Sequence, residues 1–114
     1  GQSTDLARQG ARLLTGFVKM APFSAGNRAC ALVALLVFLE ANGKTLPLTD
    51  DQVQAWFEKH VADKSLAEEA LSDGMVDRDG HLVHGVPDFQ EITDSVISRY
   101  VRTLGAMSSV QAQV

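Results

Sequence analysis

The chain has 114 residues, 46% of them hydrophobic and 21% charged, with a net charge of −4 and a single cysteine. That length fits one domain with a modest core. The acidic balance, without any Lys/Arg run, excludes nucleic-acid binding through a basic patch, and one cysteine excludes a disulfide framework or a multi-cysteine metal site.

In chain order, residues from about Asp5 to Met20 predict a first helix, with Leu6, Gly10, Leu13, Leu14 and Phe17 on one face. Gly10 and Gly16 either weaken it or allow close packing. A loop follows, Ala21-Pro-Phe-Ser-Ala-Gly-Asn-Arg28. Pro22 holds Ala21 away from helical geometry and toward an extended one. Phe23 is the expected anchor of this loop on the core. Gly26 allows unusual backbone angles, and Asn27 is a favoured N-cap. Ala29 to Leu39 then runs without a charge or amide, so the helix from about Asn27 to Ala41 is predicted to be apolar on all sides and central. Asn42-Gly43 stops it, with Gly43 as a left-handed cap. Too short for the roughly 20 residues a bilayer needs, the apolar run is not a membrane span. The expected setting is a reducing cytoplasm, with no membrane partner.

Thr49 with Gln52 predicts a capping box for a third helix through about Ala62, with Val53, Trp56, Phe57 and Val61 buried and His60 beside them. Ser65 with Glu68 predicts a fourth, ending near Asp73-Gly74. Asp88 with Glu91 predicts a fifth, running to about Leu104 and capped by Gly105; its apolar face is Phe89, Ile92, Val96, Ile97, Tyr100, Val101 and Leu104. Between the last two, Met75-Val76 and His81-Leu82-Val83 flank Arg78-Asp-Gly80 as a small hairpin or an irregular loop. The expected fold is all-α: one small helical bundle over residues 1–105 around the central helix, with 106–114 as a disordered tail.

Several local patterns do not survive inspection. Gly43-Lys44-Thr45 would need its first P-loop glycine at Phe38, inside a helix, with a strand before it. Asp77-x-Asp79-Gly80 has the spacing of half a calcium loop, but the flanking ligand positions are Met75 and Val86, and His81 and His84 beside it fit a polar turn. Cys30 is expected to be a buried small hydrophobe and His60 a boundary histidine.

The N-terminus of the central helix, opened by Gly26 and Asn27 and flanked by Arg28, is a candidate anion site. The loop from Ala21 to Arg28, followed by an apolar helix ending Phe38-Leu-Glu-Ala-Asn-Gly43, resembles the signature of the Fic/Doc (death-on-curing) family over about Phe17 to Gly43. The resemblance implies an all-α fold and transfer of part of a nucleotide onto a protein hydroxyl with ATP and Mg²⁺; Doc toxins phosphorylate a translation factor and are paired with an antitoxin. Phe23, Gly26 and Asn27 match the family pattern, and Arg28 falls where Doc-like members carry lysine. Gly26, Asn27 and Arg28 are thereby implied to bind a nucleotide or phosphate.

The remaining positions depart from that pattern. Ala21 stands at the family's general base, Ala25 at its Mg²⁺ ligand and Ala29 at its arginine. Loss of a general base alone costs about 10²- to 10⁴-fold in rate. Twenty residues precede the loop, where the family usually has roughly 45 to 60, including a flap that holds the target by strand addition. The flap is therefore expected to be missing, truncated or replaced. The family's inhibitory Glu motif is also not evident; Ser65 to Glu69 comes close, but Ala70 follows.

Three readings follow. The first is a catalytically impaired Doc-like protein that binds a nucleotide, phosphate or protein partner at the loop. The second is an active nucleotidyl- or phosphotransferase toxin taking its base from His60, His81 or His84. The third is a non-catalytic helical interaction or regulatory module whose anion site is empty and whose exposed apolar surface is a dimer face; the expected partners overall are an antitoxin-like protein or a second copy.

Overall fold

A computed structural model describes residues 2–78 and 88–108. Its helices are α1 (Gln2–Met20), α2 (Asn27–Ala41), α3 (Asp50–His60), α4 (Lys64–Gly74), α5 (Phe89–Arg99) and α6 (Val101–Met107), with two short strands, β1 (Lys44–Thr45) and β2 (Val76–Asp77). The fold is an all-α bundle organised on α2. One flank of α2 packs on α1 and another on α5 and α6, while α1 also packs on α4, and α3 on α4 and α6. Leu32, Leu35, Leu36 and Leu39 of α2 are fully buried, together with Leu14, Phe57, Leu71, Val96 and Tyr100. Gly10 is a close-approach position: a Cβ there would lie 3.1 Å from the tips of both Leu35 and Leu71. Its missing side chain lets α1 meet α2 and α4 together.

The central helix has the expected bounds, and Gly43 stops it at a φ of 81°. It is not covered all round. Cys30 is exposed, and with Val33, Ala34, Val37 and Ile97 it lines a groove of about 510 Å³ between α2, α5 and α6. An all-apolar run does not mark which of its faces the rest of the chain leaves open.

At the far end of α2, Glu40 is fully buried. Its carboxylate accepts from the Thr45 hydroxyl at 2.9 Å and from both Nη atoms of Arg99 at 2.5 and 3.2 Å, and Arg78 Nε lies 3.4 Å away. The hydrogen bond to Glu40 raises the Arg99 pKa further above its ordinary value. This carboxylate ties α2 to β1, to α5 and to the end of β2. Beside it, β1 pairs antiparallel with β2, Lys44 opposite Asp77 and Thr45 opposite Val76. Met75-Val76 therefore leads into a strand whose partner follows Gly43; His81 to Val83 lie outside the described residues.

Two of these caps differ from expectation. Thr49 does open α3, its amide donating to Gln52 Oε1 at 3.0 Å. The cap of α4, however, is Asp63, whose Oδ1 accepts from the Ser65 and Leu66 amides. Asp88 caps α5 as expected. The predicted fifth helix breaks at Tyr100 (φ −118°, ψ 33°), so Gly105 lies inside α6 and is not a cap. Ala106 and Met107 are also helical, and Met107 is buried, so the domain continues past residue 105. The break exposes a new set of N-terminal amides, and Asp50 supplies the missing acceptor. Its carboxylate takes the Arg102 amide at 3.1 Å and the Thr103 amide at 3.0 Å, a cap delivered from the first residue of α3.

Burial of Asp50 favours its neutral form, but the hydrogen bonds from Thr103 and Arg102 outweigh this and hold the carboxyl below its ordinary value. Because the folded pKa is the lower one, the stabilisation is complete above the unfolded carboxylate pKa of about 4 and is lost as pH falls through the folded value. Asp50→Asn is expected to flatten the acid limb of stability, measured by circular dichroism during titration below that pH.

Candidate functional site

The loop between α1 and α2 is built by backbone geometry more than by side-chain anchoring. α1 ends as the Ala21 amide donates to the Phe17 carbonyl at 3.0 Å. Ala21 then leaves the helix at a φ of 45°. Pro22 does bar the right-handed helical region, yet the turn is made through the left-handed region and not through the extended geometry expected. That region costs an alanine about 1–2 kcal/mol, so the surrounding contacts must hold it there.

Much of that hold comes from Asn27. The Phe23 amide donates to Asn27 Oδ1 at 2.9 Å, and Asn27 Nδ2 donates to the Phe23 carbonyl at 2.6 Å. Asn27 is buried and is the first helical residue; the N-cap is Gly26, at a φ of 79°. Asn27 thus clasps the loop from inside the helix and does not cap it. The Phe23 ring, expected to anchor the loop, is 55% exposed and meets only the edge of the core at Phe17, with ring centres 6.1 Å apart. Asn27→Ala removes both clasp bonds and is expected to cost about 1–3 kcal/mol, measurable by urea denaturation.

Among the described residues no side chain caps the first turn of α2, and no acidic residue lies in it. The leading amides and the positive end of a 15-residue helix therefore face the loop without a protein acceptor of that kind. Arg28 is already engaged. Its Nη2 is 2.5 Å from Glu58 Oε1 on α3, and its guanidinium lies over the Phe57 ring, 5.0 Å from the centroid. An incoming anion would have to share Arg28 with Glu58 or displace it, and Glu58 was not legible as a competitor because it lies 30 residues away.

The three alanines differ in setting. Ala21 and Ala25 are exposed, whereas Ala29 is only 6% exposed and belongs to the core. An arginine at 29 would have to thread its charge out of that core. His60 has Nδ1 2.8 Å from the Trp56 carbonyl and its ring 5.0 Å from the indole, so it is held on its own helix. Asp79, His81 and His84 lie outside the described residues. Asp77 is in β2, where its carboxylate meets Lys44 at 2.6 Å. Among the described residues no group of three or more His, Cys, Asp or Glu could hold a metal ion, and no helix is long and apolar enough to cross a membrane.

The fold defines the class, a small all-α bundle. Comparison with known proteins adds no relative: no family model, no curated protein and no solved structure matches the chain.

Proposed function

We propose that the chain is a Doc-like Fic-fold protein whose transferase chemistry is impaired and which binds a nucleotide or phosphate at the loop before α2. The observation that carries this reading is the uncapped N-terminus of α2 behind left-handed Gly26, with Asn27 and Arg28 in its first turn and alanine at positions 21, 25 and 29. The backbone of Gly26 and Asn27 supplies amide donors, and Arg28 supplies one cation after release from Glu58. Nothing at position 21 accepts a proton and nothing at position 25 ligates Mg²⁺, so bound ATP·Mg²⁺ is held by its phosphates without being activated. The reading places the protein in the cytoplasm. It also includes a protein partner, an antitoxin-like chain or a second copy, and the open apolar flank of α2 favours that element.

Isothermal titration with ATP and Mg²⁺, and separately with inorganic phosphate, tests the binding. Heat is expected with the parent chain and none with Gly26→Val, which fills the left-handed cap with a β-branched side chain. A parallel assay with labelled ATP is expected to show no transfer to protein. Robust transfer would overturn the impaired reading, and absence of any titration heat would overturn the anion site.

A further inference from the structure

Six of the ten Lys and Arg side chains sit within ion-pair distance of a carboxylate: Arg8, Arg28, Lys44, Arg78, Arg99 and Arg102. Among the described residues Arg12, Lys19, Lys59 and Lys64 have no such partner, and three of the four are gathered in one place. Arg12, Lys19 and Lys64 line one groove of about 600 Å³ between the second half of α1 and the α3–α4 turn. Arg12 and Lys19 are two helical turns apart and so share a face, with Thr15 between them. Val18 and Val61 add apolar surface to the same groove. No carboxylate lines it among the described residues. Neighbouring Asp63 is occupied in capping α4, at 2.9 Å from the Ser65 amide and 3.2 Å from that of Leu66.

In a chain of net charge −4 this gathering is not a by-product of excess basic residues. Six other cations are paired with carboxylates of the fold, whereas among the described residues these three exposed side chains pair with none. We propose that the groove docks an acidic, partly apolar segment of a partner protein. Carboxylates of that segment meet Arg12, Lys19 and Lys64, and an aliphatic side chain between them covers Val18 and Val61. Nucleic acid fits less well, because the net negative charge repels a polyanion and, among the described residues, no aromatic side chain lines the groove to stack a base. A free phosphate would leave the apolar surface unused. The site is separate from the loop before α2 and does not depend on nucleotide binding there.

The test uses the full chain and a fluorescein-labelled peptide, Glu-Leu-Glu-Glu-Leu-Glu-Glu-Leu, followed by fluorescence anisotropy. The same peptide with Lys for Glu, a short oligothymidylate and tripolyphosphate serve as comparisons. The acidic peptide is expected to bind and to weaken as salt rises, and charge reversal in R12E/K19E/K64E is expected to weaken it at least about tenfold. Arg102→Gln, which removes an exposed but paired cation elsewhere, is expected to change it less than about twofold. Circular dichroism checks that each variant is folded; if the triple variant is not, Lys19→Glu alone is expected to give a loss of about threefold or more. Failure of the acidic peptide to bind, equal binding by the charge-reversed protein, or tighter binding of the oligothymidylate or tripolyphosphate would overturn the proposal.

Discussion

Glu40→Ala is expected to destabilise the fold by about 3–5 kcal/mol, the range for removing one member of a buried ion network. The carboxylate is fully buried and is the only acceptor the two arginines share among the described residues. Without it, Arg99 can turn toward water, since its side chain is already 36% exposed. Arg78 cannot do so as readily: its side chain is 15% exposed, and its Nη1 is already buried without a hydrogen-bond partner among the described residues. The larger share of the loss is therefore assigned to Arg78. Urea denaturation followed by circular dichroism would measure it, and Tm should fall by more than about 10 °C for a domain of this size. Glu40→Gln keeps the shape and should fall between the parent chain and Glu40→Ala. Replacing Glu40 and Arg78 together with leucine and methionine should recover most of the loss, because no guanidinium is then left stranded at that position. A loss below about 1 kcal/mol for Glu40→Ala would show that the arginines rehydrate freely.

Tyr100→Ala should cost a similar amount, about 3–5 kcal/mol, because it empties the largest fully buried side chain at the break between α5 and α6. Tyr100→Phe separates the ring from the hydroxyl. The hydroxyl donates to the Leu48 carbonyl at 2.7 Å, so Phe should cost about 1–2 kcal/mol. Burial raises the Tyr100 pKa, against the opposing pull of Arg99. For a phenol with a raised folded pKa, the stabilisation is complete below the unfolded pKa of about 10 and is lost as pH rises through the folded value. The parent chain should therefore lose stability above that pH more steeply than Tyr100→Phe, in urea melts taken along a pH series.

The local signals carried a good part of this structure. An apolar run closed by Asn42-Gly43 is enough to bound α2, and Thr49 with Gln52 is enough to open α3, because each signal acts within a turn or two of its own position. What the sequence concealed is the long-range pairing. A carboxylate at position 40, on the same stripe as Leu32, Leu36 and Leu39, hints at burial, but its arginines come from β2's end and from α5. The Tyr100 break depends on a cap sent from Asp50, and no pattern near residue 100 announces it. At the candidate site, the turn through Gly26 was legible because glycine marks a left-handed position. The role of Asn27 was not, since the same residue type serves as a cap or as a clasp, and only the position of the Phe23 backbone decides between them.

Glu40 and its Arg99 partner are 59 residues apart, and Asp50 and the Thr103 amide it caps are 53 apart. These contacts bear on the order of folding. As the chain emerges from a ribosome N-terminus first, α2 and α3 appear long before α5 and α6, which carry the groups that complete their carboxylates. The first four helices cannot bury Glu40 stably on their own, since burial of an unpaired charge is unfavourable. Thr45 and Arg78 can meet Glu40 first, and docking of α5 then adds Arg99, so completion of the network is expected to wait on long-range closure.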